Sequence, residues 1–364
     1  IDGQITDSWT KFLPDTTTVV NGTFGNVNKI LVYNNLLLFF QDKSCGIMSF
    51  NDRQLLTTQD STQLVLGSGD IFDTYRYISE TYGTKNKFSV IDTEDSVYFF
   101  DATSKKILRI FNGNVEALSD IKGLSGYLKD KDYDTSYDKP LSGIGTHGVY
   151  DSSVNRVIYT MQSQDHTKDF TIGFNRNLNA FESFYSYIPN IYLSINGKML
   201  SCGGDDNTYI YLHTHNQEDK LRCDFYGTTY NSDISIIASQ QPDVKKVFTN
   251  IELNGNLTDN YGDALESYAD FVPDSDKGSL YASKLKLWNT WQNTDDIKLS
   301  LINIKRRFRT WYYQIPKISG MRMMDYWMGI KFTHYTPSVL PEEVGNPKTF
   351  KLDDITVSHL IPIL

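Results

Sequence analysis

From Ser96 to Leu118 the chain runs Ser96-Val97-Tyr98-Phe99-Phe100, then Ile107-Leu108-Arg109-Ile110-Phe111, then Asn112-Gly113, then Val115-Glu116-Ala117-Leu118. Short apolar runs rich in β-branched and aromatic residues fit a pleated, half-buried surface better than a helix. Asn-Gly supplies the two positive φ angles of a tight hairpin. The stretch therefore predicts three antiparallel strands in succession. The same turn recurs at Asn196-Gly197, between Ile191-Tyr192-Leu193-Ser194-Ile195 and Lys198-Met199-Leu200. A further hairpin is expected from Phe170-Thr171-Ile172-Gly173-Phe174 through 175–179 into Phe181-Glu182-Ser183-Phe184. No window keeps apolar positions at i, i+3, i+4 and i+7 with caps at both ends, so helix is a minor component.

Working outward, strands of the same character begin near Leu37, Val97, Val157, Met199 and Val247, each after polar or turn-forming residues. Their spacing of roughly 40 to 60 residues is that of propeller blades with loop insertions. Radial four-stranded blades are one way for many short strands to avoid exposed edges. The expected fold is all-β: a β-propeller of about six blades, some from chain outside this sequence, with a C-terminal antiparallel β region. A β-sandwich with long loops is the alternative. Residues 1–245 are assigned to the blades and 246–364 to the C-terminal sheet or closing blades, because the repeat stops there. Longer strands then follow at Val247–Leu253, Leu280–Trp288, Arg306–Ile315, Tyr326–Tyr335 and Phe350–His359.

Composition narrows the function. The chain has 364 residues, 24 Tyr, 20 Phe and a formal net charge of −9. That charge argues against a general nucleic-acid binder, which would carry a basic face. No run approaches the ~18 apolar residues of a membrane helix. Cys45, Cys202 and Cys223 are odd in number and widely spaced, which disfavours a disulfide framework or a cysteine zinc site. The sequence opens on Ile1 without a charged-then-apolar signal segment, so a fragment or processed piece of a longer chain is expected. Asn21-Gly22-Thr23 and Asn256-Leu257-Thr258 fit a glycosylation pattern that arises often by chance.

Candidate chemistry is sparse. Asp130, Asp132, Asp134 and Asp138 suggest calcium, but an EF-hand wants Gly and Glu where Thr135 and Leu141 stand. A solvated acidic loop is expected instead. His213 and His215 alternate in the run Tyr209–His215 and so share one face, as metal ligands would, yet no third ligand stands at a standard spacing. There is no Gly-x-Ser-x-Gly elbow, and Gly67-Ser68-Gly69-Asp70 lacks the Lys-Ser/Thr of a phosphate loop. A glycosidase needs two carboxylates facing across a sugar, and nothing singles out a pair. Lys305, Arg307, Arg309 and Trp311 alternate onto one strand face, with Phe308 and Tyr312 expected beneath the other. No catalytic residue, cofactor-binding residue or metal ligand is assigned, and no cofactor is expected.

Several segments together resemble a known family. They are Asp7-Ser8-Trp9-Thr10-Lys11-Phe12-Leu13-Pro14, Phe24–Ile30, Leu37–Asp42, Gly46–Arg53, Tyr82–Ser89, Val97–Asp101 and His147–Asp151. Arg156–Thr160, Phe181–Pro189, Phe225-Tyr226-Gly227, Lys246–Ile251, Asp325–Met328 and Asp353–Thr356 continue the series. The series resembles the propeller region of the tail-nozzle, or stabilization, proteins of short-tailed phages, and most of all the muzzle proteins of crAss-like phages. These are scaffold positions without a catalytic signature.

The resemblance implies a structural virion protein, not an enzyme, located in the phage tail and assembled in the host cytoplasm. It would form part of a homo-oligomeric ring at the distal nozzle, beside other tail-barrel proteins and away from membranes. Genomic DNA would pass through the channel without sequence-specific binding, and an acidic wall would let it slide. In that reducing compartment the three cysteines stay unpaired. A carbohydrate-binding adhesin propeller and a glycosidase propeller are the alternatives.

Overall fold

Val97-Tyr98-Phe99-Phe100-Asp101 is buried along its whole length, on both sides of the strand. A strand buried on both faces reads as a continuous apolar run, whereas one face in water gives alternation. In the computed structural model of the chain, which describes residues 18–50, 54–57, 63–66, 72–131, 137–203, 209–213, 223–258, 283–298, 304–307, 310–334 and 349–361, that double burial has a simple origin. Strands pair into sheets, and the sheets stack face to face in chain order.

The chain divides into two units, Ile1–His213 and Thr214–Leu364. Among the described residues the first unit holds successive antiparallel sheets. The first sheet has the order β1-β2-β3-β6, from β1 (Val27–Tyr33), β2 (Leu36–Gln41), β3 (Cys45–Phe50) and β6 (Phe72–Ser79). A hairpin of β4 (Gln54–Thr57) and β5 (Gln63–Leu66) is inserted between β3 and β6. The second sheet is a meander of β7 (Ile91–Asp92), β8 (Val97–Asp101), β9 (Lys106–Phe111) and β10 (Asn114–Glu116). The third joins β11 (Gly145–Asp151), β12 (Arg156–Gln162), β13 (Phe170–Asn175) and β14 (Ala180–Tyr185). The fourth joins β15 (Pro189–Ile195), β16 (Lys198–Gly203) and β17 (Ile210–Leu212).

The repeat strands near Leu37, Val97, Val157 and Met199 are β2, β8, β12 and β16, the second strand of each sheet. Asn112-Gly113 and Asn196-Gly197 turn with positive φ at both residues, and so does Asn34-Asn35. Each joins two strands in register, Phe111 to Asn114, Ile195 to Lys198 and Tyr33 to Leu36. Helix is confined to α1 (Leu118–Ile121), α2 (Ser125–Lys129) and single 3-10 turns among the described residues. Leu118, expected to extend a strand, instead starts α1.

Alternation along β8 shows the stacking. Val97 and Phe99 pack with Leu38, Phe40 and Cys45 of the first sheet. Tyr98 and Phe100 pack with Val157, Tyr159, Phe170 and Ile172 of the third. Full burial of such side chains contributes roughly 1.5–3 kcal/mol each. Gly148 lets β11 approach the second sheet, since a Cβ there would strike Ile91 and Tyr159. The first strands β7, β11 and β15 lie side by side.

The second unit is built differently. A small hairpin joins β18 (Asp224–Phe225) to β19 (Thr228–Thr229). One larger sheet has the order β20-β27-β22-β23, from β20 (Ser232–Ala238), β27 (Met328–His334), β22 (Ser283–Trp288) and β23 (Ile297–Lys298). The other has the order β24-β25-β21-β26, from β24 (Ile304–Arg307), β25 (Thr310–Gln314), β21 (Lys246–Thr258) and β26 (Met324–Asp325). In addition, β28 (Thr349–Leu360) pairs along β21. Both sheets contribute to one core containing Phe248, Ile251, Leu253, Leu285, Leu287, Trp311, Ile330 and Phe332.

The division of the chain lies before the change of texture at residue 246. The reason is that β20 pairs with β27, a distant strand that no local pattern announces. Val247, the last of the repeat strands, sits in β21 and belongs to this second architecture.

The segment Arg306–Ile315 is not one strand. Arg307 pairs with Thr310 and Arg306 with Trp311, so the chain reverses and Trp311 does not share the face of Lys305 and Arg307. Trp311 and Tyr313 are buried and Tyr312 is exposed, the reverse of the expected order. Phe308 and Arg309 lie outside the described residues.

Candidate functional site

The polar residues of the first unit concentrate at the junctions between successive sheets. Between the first and second sheets, Asn28 donates its amide to Asp42 at 2.7 Å and to the Thr84 carbonyl at 2.7 Å. Within the first sheet, buried Gln41 donates to the carbonyls of Asn21 and Gly25 and accepts from Ser44 and Tyr77. Between the second and third, Asp138 accepts from the Asn86 amide at 2.6 Å and from the backbone N–H groups of Phe88 and Thr146. Tyr159 donates to the Ser89 carbonyl at 3.0 Å across the same junction. Between the third and fourth, Thr160 bonds both Thr171 and Tyr192, and Thr171 donates to the Tyr187 carbonyl.

At the outer turns Arg176 gathers a cluster. Its guanidinium donates to Glu94, Asp95, Tyr150 and Asn155 at 2.5 to 2.8 Å. Burial alone would lower the Arg176 pKa, but the bonds to Asp95 and Glu94 outweigh it and raise it. The cluster ties the β7–β8 turn of the second sheet to the third sheet.

Among the described residues, two carboxylates have raised pKa values through burial, Asp101 and Asp138. Each is occupied by donors. Asp101 accepts from the Thr103 and Ser104 N–H groups and the Ser104 hydroxyl, holding the turn after β8. Asp151 does the same for Ser153, and Asn175 for Asn177 and Leu178. In all three turns the residue before the next strand has positive φ: Lys105, Asn155 and Asn179. The sequence signal is an Asp or Asn ending one strand and a Lys or Asn opening the next, a repeated turn that strand patterning alone passes over.

Of the residues singled out for metals, the described ones hold structural positions. Asp138 is a junction anchor and Asp130 is the C-cap of α2, while Asp132 and Asp134 lie outside the described residues. His213 bonds the Ser201 hydroxyl at 2.6 Å and lies against the Tyr187 ring, and His215 lies outside the described residues. Among the described residues, no group of three or more His, Cys, Asp or Glu could hold a metal ion. Cys45, Cys202 and Cys223 are free thiols, with Cys45 buried and its pKa pushed up to about 12 by desolvation.

His147 is buried on β11, and its ring nitrogens make no hydrogen bond of regular geometry, the Ile144 backbone being the polar group nearest in effect. Desolvation pushes its pKa down to about 4. Phe88 lies beside its ring, so it packs as a neutral aromatic body. In the second unit, Lys246 is buried and donates to the carbonyls of Gln241 at 2.8 Å and Val244 at 2.9 Å. An open cleft there is lined by Ile237, Ser239, Pro242, Tyr326 and Trp327, without a carboxylate, histidine or lysine. No helix among the described residues is long and apolar enough to cross a membrane.

The geometry is that of a joined scaffold: polar side chains are spent on turns and on sheet junctions. The sequence profile of the Crassvirus muzzle protein matches residues 1–203, and that of the Crassvirus muzzle protein C-terminal domain matches residues 222–318. A curated muzzle protein of Bacteroides phage crAss001 is 25% identical over 358 residues, which is 94% of this chain and 23% of that protein. The chain therefore spans about a quarter of the length of the curated relative it matches. With a profile match over more than half its residues, the chain belongs to the Crassvirus muzzle protein family.

Proposed function

We propose that this chain is a structural part of a phage tail, acting by assembly and not by turnover. Its first unit supplies successive blades of a β-propeller. The muzzle it belongs to forms a closed homo-oligomeric ring around the DNA exit channel at the distal end of the tail, in contact with other tail-barrel proteins. The family match carries this reading. Two further features support it: sheets stacked in chain order with β7, β11 and β15 side by side, as inner blade strands would be, and polar groups consumed at the junctions. A closed ring is the arrangement in which repeated interfaces enclose a channel.

The test is genetic and visual. Particles lacking the protein are expected to fail to retain or deliver DNA, and imaging should place the chain at the tail tip. Single substitutions at Asp130 or His213 are expected to leave assembly and infection nearly intact. If loss of one carboxylate or histidine abolishes infectivity while particles assemble normally, the reading is wrong and an active site exists.

A further inference from the structure

The stack of sheets in the first unit has two ends, and both are apolar. On the fourth sheet, Leu193 pairs with Leu200, Leu200 with Leu212, Ile191 with Cys202 and Cys202 with Ile210. Directly paired residues of antiparallel strands point to one face. The other face carries Tyr192, Met199 and Ser201, all buried, and Tyr192 reaches Thr160 of the third sheet. On the outward face Leu193, Ile195, Ile210 and Leu212 are left 41 to 62% exposed. On the first sheet Ile30 and Val32 are 53% and 66% exposed, whereas their partners Phe39 and Leu37 on the same face are buried. At the first–second and second–third junctions an apolar face is covered by the next sheet.

We infer that a further antiparallel β-sheet, supplied by muzzle polypeptide outside residues 1–364, packs on the face formed by Leu193, Ile195, Ile210 and Leu212. The inference rests on the blade reading above. The occupant is a sheet because the face is a flat pleat of aliphatic side chains, and packed sheets lie about 10 Å apart over such faces. A contiguous exposed apolar patch marks an interaction site. The source is the same polypeptide because the curated relative carries most of its length outside the aligned region, which is 23% of it.

A photo-crosslinking phenylalanine analogue placed at position 193, and separately at 210, tests this in the gene product as it occurs in phage particles. The expected result is an adduct of single-chain mass, joined to a peptide outside residues 1–364. Cys202, a free thiol on the same face, should also react with maleimide at least tenfold more slowly there than in the purified 364-residue chain. Adducts of two-chain mass would give the face to a second copy or another tail protein. Adducts within residues 1–364, or no adduct with Cys202 equally reactive in both forms, would show that no outside sheet covers it. Each of these overturns the inference while the structural role stands. Absence of the chain from particles would sink the structural role, and the crosslink read in extracts of infected cells would then decide the inference by itself.

Discussion

In the first unit Val97 and Phe99 face one core while Tyr98 and Phe100, their neighbours in sequence, face another. In the second unit Leu285, Leu287, Ile330 and Phe332, from two neighbouring strands, all face the same core. The first arrangement chains small cores in series, each closed by the next hairpin along the sequence. The second closes one core at once from strands far apart, with β20 and β22 both paired to β27. Series packing needs apolar residues on both sides of a strand, which is why Val97-Tyr98-Phe99-Phe100 of β8 reads as an unbroken apolar run. Single-core packing leaves one side of the strand free, and Leu285 and Leu287 accordingly alternate with Lys284 and Lys286.

The largest effect expected from this contrast is at Phe99. Phe99→Ala opens a cavity between the first and second sheets and should cost about 3–5 kcal/mol. Urea denaturation measures the loss, and hydrogen exchange should locate it in β2, β8 and β9. A loss below about 1 kcal/mol would mean that the sheets do not depend on that core. The contrast sharpens in double-mutant cycles. Phe99→Leu and Phe100→Leu act on different cores and should add, whereas Leu285→Val and Leu287→Val share one and should couple by about 0.5 kcal/mol or more.

Next comes pH. The His147 imidazole is neutral in the fold, with its pKa depressed to about 4 against an ordinary value of 6.5. Between those values the unfolded chain binds the proton and the folded chain does not. Stability is therefore full above pH 6.5 and falls as pH drops toward 4, by a few kcal/mol in all. Asp101 and Asp138, with pKa values raised by burial, act in the opposite direction near the acid end of the window. His147→Phe should flatten the fall between pH 6.5 and 5, and an unchanged profile would show that His147 is not its source.

In the second unit the corresponding buried ionisable side chain is Lys246. Lys246→Met leaves the carbonyls of Gln241 and Val244 without their donor and should cost about 2 kcal/mol, read by denaturation at neutral pH. No loss would mean that water replaces the ammonium.

The smallest effect is at Arg176. Its partners Glu94 and Asp95 are mostly exposed, so Arg176→Ala should cost about 1 kcal/mol or less, shrinking further in high salt. A salt-independent loss well above that would promote the cluster from a surface tie to a structural pillar.

The sequence by itself determined what depends on neighbours along the chain. Asn112-Gly113 and Asn196-Gly197 make hairpins because their positive φ angles are local chemistry. The runs in β2 and β8 announce strands because double burial demands apolar residues on both faces. The recurrence of those runs gave the order of the sheets, and the resemblance of scaffold segments gave the family. Pairings between distant residues, by contrast, were decided only in the tertiary structure. Lys305–Trp311 alternates like one strand, yet the chain reverses between Arg307 and Thr310 because β25 finds its other partner in β21. Lys246 and His147 look like surface residues in sequence, but their burial is set by strands and carbonyls brought from elsewhere. Asp138 reads as one of a run of acids and becomes a junction anchor because Asn86, Phe88 and Thr146 meet it in space. A side chain's local pattern records the backbone it favours, whereas its partners are chosen by whichever surfaces the fold presses together.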